Sequence, residues 1–296
     1  MTLSCLIYNR LITADTVKEK CASIQSGDEI LPAVFEAEAP PDTDPVWGKG
    51  TQYPRIIFAE DMQANEERSS AGTLTVTVYV EKTHLPDVTV ITAATKQALR
   101  DVILNPEGED GPFAFAWART DAYALPGTEI VAQISQYDIV EYPDQTTTDP
   151  DPQDALARFI KSLYGDDICV LGIDRIDDYT DSRIKPVLYV EVTRIVMTNG
   201  HCVNSIVWLN TEMKVHVICP DHSKTMRICG ALVQKIGAAE EIIMIDNSPM
   251  TINGSSYAGD SDYLRFGQIT VNAKYGVLKT TPKNHTMRRS ILTAGS

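Results

Sequence analysis

A histidine, a cysteine, an aspartate and a second histidine fall close together at His216, Cys219, Asp221 and His222, with Cys229 one to two helical turns onward. Imidazole and thiolate are zinc ligands, and a strand-to-helix junction can converge such side chains on one ion. The His-x2-Cys-x2-His spacing matches no strong zinc pattern, however, and Asp221 is placed to cap a following helix. Cys219 also stands where a similar earlier stretch has Leu85, which suits a packing role. The expectation here is packing and capping, with no metal.

A second group is acidic: Asp166, Asp167, Asp174, Asp177, Asp178 and Asp181. Paired carboxylates can do acid–base work or bind divalent cations. These lie in a polar connection and lack the Asp-x-Asp-x-Asp-Gly order of a calcium loop, so a solvated turn is expected. The glycines of Gly108 to Gly111 and Gly254 to Gly259 lack the Gly-Lys-Ser/Thr ending of a phosphate loop. There is no Gly-x-Ser-x-Gly elbow. Trp47, Trp117 and Trp208 are read as core or interface anchors rather than a stacking platform. The six cysteines contain no Cys-x-x-Cys pair, and four sit in apolar stretches, as small core hydrophobes do. No catalytic constellation emerges, so neither an enzyme nor a cofactor is expected.

The elements that hold these residues repeat. One helical pattern, Leu3, Ile7 and Leu11, is matched by Ala155, Phe159 and Leu163, the second opened by Asp151 and Pro152. Each leads to a strand introduced by proline, Tyr53-Pro54 in one case and Lys185-Pro186 in the other. Second strands follow over Thr73 to Val80 and about Ser205 to Ile218. Leu85-Pro86-Asp87 then matches Cys219-Pro220-Asp221 at an offset of 221 − 87 = 134, with aspartate capping a helix in both. The helices align Ile91, Ala94, Ala98, Leu99 and Val102 with Thr225, Ile228, Leu232, Val233 and Ile236. Closing strands place Phe113 to Trp117 opposite Glu241 to Asn247. They also place Ala132-Gln133-Ile134-Ser135 opposite Gly267-Gln268-Ile269-Thr270, an offset of 268 − 133 = 135.

The predicted fold is therefore α+β, two tandem copies of one unit, each a mostly antiparallel sheet packed against two helices. The first spans residues 1–146 and the second 150–276, with a basic extension over 277–296. Copy one carries an inserted loop at about 25–51, rich in Glu, Asp, Pro and Gly, where function or mobility is usual. A Pro-, Asp- and Thr-rich linker from Tyr142 to Asp154 separates the copies.

The 296 residues are 43% hydrophobic and 22% charged, as in a globular protein of about two domains. No apolar run approaches the roughly 18 residues of a membrane span. The first ten residues lack a signal-peptide pattern, so the cell interior is the expected compartment. The net charge of −14 disfavours non-specific nucleic-acid binding. After Asp262 no acidic side chain occurs, so an acidic body carries a basic tail, which suggests self-association or docking on an acidic neighbour.

From Tyr53-Pro54-Arg55-Ile56-Ile57-Phe58 through the Thr73 to Val80 strand and the Pro86-Asp87 helix, copy one resembles the tail-terminator family of tailed bacteriophages. Copy two resembles it more faintly over Lys185 to Gly276. The duplication, the insert and the extension from Leu278 to Ser296 depart from that family. The resemblance implies a structural virion protein forming a ring at the head-proximal end of the tail. Such a ring ends tube polymerisation and joins the tail to the head connector, without catalysis or cofactor. It implies a homo-oligomer, with a hexameric ring favoured over a pseudo-hexameric trimer, contacting tail tube and connector proteins. Genomic DNA passes through its lumen unbound, and the protein is made in the host cytoplasm. Lys279, Lys283, Arg288, Arg289 and Trp47 are the candidate partner-contact residues. Another neck or tail-tube component of related fold is one alternative. A duplicated ligand-binding or enzymatic α+β protein, with its site at the seam between copies, is the other.

Overall fold

The computed structural model describes residues 1–47, 51–108, 111–198 and 206–278. The chain opens with α1 (Leu3–Thr13), α2 (Asp15–Lys20) and a hairpin of β1 (Ser23–Ser26) and β2 (Glu29–Pro32). Next come β3 (Val34–Glu36), β4 (Arg55–Asp61), β5 (Gly72–Glu81) and α3 (Leu85–Leu99). The strands β6 (Val102–Leu104), β7 (Phe113–Ala124) and β8 (Ile130–Glu141) complete the first unit. The second unit holds α4 (Pro152–Tyr164), β9 (Cys169–Val170), β10 (Tyr179–Asp181), β11 (Val187–Met197) and β12 (Ile206–Ile218). It ends with α5 (His222–Ala239), β13 (Glu241–Ile243), β14 (Pro249–Tyr257) and β15 (Ile269–Leu278).

The first sheet runs β10-β6-β7-β8-β5-β4-β3 and the second β13-β14-β15-β12-β11-β9. Leaving β10 aside, the orders coincide: β6 corresponds to β13, β7 to β14, β8 to β15, β5 to β12, β4 to β11 and β3 to β9. Pairings correspond too. The short edge strands β3 and β9 run parallel to β4 and β11, and every other pairing in both sheets is antiparallel.

Alternation along the strands divides the molecule into layers. In the first unit Ile56, Phe58, Val76, Val78 and Phe115 face helices α1, α2 and α3, meeting Ile7, Leu11, Val17, Val88 and Ile91. In the second, Leu188, Val190, Val215, Val217 and Val271 face α4 and α5. Leu156 and Ile160 of α4 are fully buried there, each worth about 2 kcal/mol of transfer free energy. The opposite faces of the two sheets meet each other. Ile103, Ala114, Ala116, Val140 and Tyr142 from the first form one buried cluster with Cys169, Leu171, Val187, Tyr189 and Ile218 from the second.

Several expectations are revised. The first unit has three helices rather than two, because α2 follows α1 directly. The Glu241 to Asn247 stretch is not the counterpart of Phe113 to Trp117. It begins with the short edge strand β13, which matches β6, while β14 matches β7. The helices align differently as well: buried Ile91, Thr92, Thr95 and Leu99 stand opposite buried Ile228, Cys229, Leu232 and Ile236, an offset of 228 − 91 = 137. Asp221 does cap α5, accepting from the Lys224 amide at 3.0 Å. Asp87 does not cap α3. It lies inside the first turn and pairs with Lys20 of α2 at 3.1 Å. The division between copies is not a clean cut either, since β10 of the second half pairs antiparallel with β6 of the first.

The insert is folded rather than an open loop. Its β1–β2 hairpin and a 3-10 turn at Pro45–Trp47, on either side of the shared strand β3, enclose a small core of Ala22, Ile24, Ala33 and Trp47. Trp47 is 3% exposed, packs edge-on against Phe35 and donates through Nε1 to the Pro41 carbonyl at 3.0 Å. The indole therefore serves its own chain and offers no free face to a partner. Lys279, Lys283, Arg288 and Arg289 lie outside the described residues.

Candidate functional site

The seam between the sheets brings together polar side chains from both units. β8 delivers Asp138, 1% exposed within the otherwise apolar run Tyr137 to Val140. A carboxylate there requires charged partners. Arg68, from the turn before β5, reaches Asp138 at 2.8 Å, and Arg265, from the loop before β15, reaches the same oxygen from the second unit. Arg265 also holds Asp262 at 2.6 Å. These ion pairs hold the Arg265 guanidinium above its ordinary pKa even though burial opposes them.

Beside this cluster, three rings close the seam. Tyr142 lies 5.1 Å from Tyr189 and 5.8 Å from His216, both edge-on. The Tyr142 hydroxyl donates to the Leu264 carbonyl at 3.0 Å, and the Tyr189 hydroxyl to the Pro143 carbonyl at 2.7 Å. Burial pushes both phenols up, so they stay neutral and act as structural donors. His216 sits between the Tyr263 carbonyl at 3.0 Å and Glu191 at 3.4 Å.

Next to the seam opens a half-enclosed cleft of about 400 Å³, lined among others by Lys96, Arg100, Asp101, Trp117, Tyr263 and Arg265. The Lys96 ammonium stands 3.5 Å from the centre of the Trp117 ring, and its pKa is lowered by burial and then by Arg100. Asp101 adopts a left-handed conformation (φ 60°) between α3 and β6, pairs with Arg100 at 3.1 Å and meets the Tyr263 hydroxyl at 3.4 Å. Its carbonyl accepts from the Ser182 amide and hydroxyl at 2.9 and 2.8 Å, which pins the segment after β10. The cleft thus sets three cations against an aromatic wall, two of them already paired: Arg100 with Asp101, and Arg265 with Asp262 and Asp138. Its lining includes a lysine, two aspartates and two tyrosines, but no serine, cysteine or histidine.

The other sequence candidates disperse. His216 belongs to the seam, Cys219 is buried beside α5, Asp221 caps that helix, and Cys229 lies in the second core, its thiol pushed by burial to about 11. Among the described residues no three His, Cys, Asp or Glu side chains converge as a metal site. The acidic group is partnered piecemeal. Asp174 and Asp166 hold Lys161 at 2.8 and 3.3 Å, and Asp181 accepts from the Arg183 side chain and amide. Burial raises the Asp181 pKa, but the Arg183 bonds outweigh it and the net shift is downward. Among the described residues no helix is long and apolar enough to cross a membrane.

Asp138, Arg68 and Arg265 were not singled out from the sequence. The signal for Asp138 was present as a lone charge in an apolar strand. Its arginines carried none, because Arg265 is 127 positions away. Comparison of the chain with protein-family models and with curated proteins finds no match.

Proposed function

We propose that this chain is a structural virion protein that assembles into a ring at the head-proximal end of a phage tail. In that place it ends tube polymerisation and joins the tail to the head connector. The observation carrying this reading is the repeat itself: two units of one strand order, joined by a seam filled with packing and internal ion pairs. Such a chain works by contact with neighbours. The predicted resemblance of copy one to tail terminators supplies the position in the particle. The surplus of acidic residues suits a lumen through which DNA slides without adhering. Six chains per ring are favoured, since enlargement of a subunit leaves ring number unchanged more simply than replacement of two subunits by one.

The test is the size and shape of the purified full-length protein. Light scattering coupled to size exclusion, followed by negative-stain imaging, is expected to give closed rings of six chains. Rings of three keep the function with pseudo-sixfold symmetry, whereas a stable single chain defeats it. A second reading draws on the cleft at the seam, where a duplicated protein would hold a small molecule whose anionic group meets the Lys96 ammonium. A monomer that gains thermal stability on titration with inorganic phosphate would favour that reading.

A further inference from the structure

The seam inside the chain is heterologous: different parts of the shared unit meet across it. The first unit contributes the outer face at its β6–β7 end, Ile103, Ala114 and Ala116, all 6% exposed or less. The second contributes the outer face at the opposite end of its sheet, Val187 and Tyr189 of β11 and Ile218 of β12. It also lends β10 to the free edge of β6.

Each unit therefore has one of these two surfaces in use and its counterpart of the other left over. In the second unit the counterpart of β6 is β13. There Ile243 is 61% exposed and Ile245, just beyond the strand, 69%, although Ile242 and Met244, facing the helices, are 3% and 2% exposed. The edge is open as well. The Glu240 carbonyl accepts from the Ile252 amide at 2.7 Å, and the Met244 amide donates to the Ser248 carbonyl at 2.9 Å. Strand alternation then turns the backbone groups of Glu241 and Ile243 away from β14. Among the described residues no strand pairs with them. In the first unit the counterpart of β11 is β4. Counting from the introducing prolines, Arg55 and Ile57 stand where β11 has Val187 and Tyr189, and Tyr79 of β5 adjoins them. All three are half-buried, where Val187 and Tyr189 are buried. Arg55 is tied to Asp42 at 2.7 Å and lies over the Tyr53, Trp47 and Tyr79 rings, so the part of this face left to a partner centres on Ile57 and Tyr79.

We propose that a second copy of this chain covers these surfaces. The first unit of one chain lays its β4–β5 outer face on the β13–β14 outer face of another, repeating between chains the seam built into each. The inference rests on the ring reading and names the surfaces that propagate it. A head-to-tail contact of this kind closes into a ring when its rotation divides the circle, and otherwise extends as a filament.

The test uses full-length protein and two one-sided variants. Ile243→Asp with Ile245→Asp spoils the β13 face, and Tyr79→Glu spoils the β4–β5 face. Circular dichroism and a thermal melt establish that each is folded, and Ile57→Asp replaces Tyr79→Glu if the latter is not. Each variant alone is expected to run at the mass of one chain. An equimolar mixture is expected to give a two-chain species and nothing larger, because one intact face of each kind remains. Rings that persist in the Ile243/Ile245 variant overturn this interface and leave the ring reading standing. A mixture that stays single-chain shows that the contact is not head-to-tail and overturns the proposal. Wild-type protein that never exceeds one chain defeats both.

Discussion

Asp138 illustrates how one side chain can make two halves interdependent. Its carboxylate is 1% exposed and is held by an arginine from each unit, Arg68 and Arg265. Arg265 is the better buried of the two, with 20% side-chain exposure against 47% for Arg68. Removing a partner from a buried carboxylate leaves a charge uncompensated, which costs far more than losing a surface pair. Arg265→Ala is therefore expected to destabilise the protein by about 3 kcal/mol, and Arg68→Ala by clearly less. Urea titration followed by circular dichroism measures both. Equal, small effects would mean that Asp138 relies on neither. At this scale the sequence was legible wherever chemistry is local. Asp151 and Asp221 were read as helix caps and do accept backbone amides. Asp138 and Arg265 were not read, because nothing local ties positions 127 apart.

At the scale of elements, the correspondence of the copies was legible while its register was not. On a helix a displacement of three residues is close to one full turn, so a comparison slipped by three still places apolar residues on one face. That is why an offset of 134 looked sound although the buried positions of α3 and α5 correspond at 228 − 91 = 137. The slip has a consequence at the caps. Asp221→Ala is expected to cost about 1 kcal/mol through loss of the amide contact at the start of α5. Asp87→Ala, which removes partly exposed contacts with Lys20 and His84, is expected to cost about a few tenths of a kcal/mol. Denaturant midpoints of the two variants decide it, and equal losses would restore Asp87 as a cap. The short strands were the least legible elements. β6, β10 and β13 are three residues each, too brief for alternation to register, and β10 lies in a polar connection rich in aspartate. They exist because an adjacent sheet edge offers hydrogen-bonding partners, which is tertiary information.

For the whole molecule, charge and duplication set the expectations. The acidic body and the basic segment after Asp262 point to docking between copies or onto an acidic neighbour. Deletion of residues 279 to 296, which leaves β15 whole, is accordingly expected to shift the assembled fraction towards single chains without lowering the thermal midpoint, as sedimentation velocity and a melt would report. Unchanged assembly would assign the tail no part in it.

The strand β10 has a further consequence. Because it is tethered to the edge it completes, it meets that edge at the millimolar-range local concentration typical of a short linker, whatever the protein concentration in the cell. Two separately synthesised halves would have to find each other by diffusion, and the amino-terminal half would meanwhile present bare β6 to any passing strand. Fusion into one polypeptide thus fixes the ratio of the two halves at unity and protects a sticky edge from the moment the second half folds.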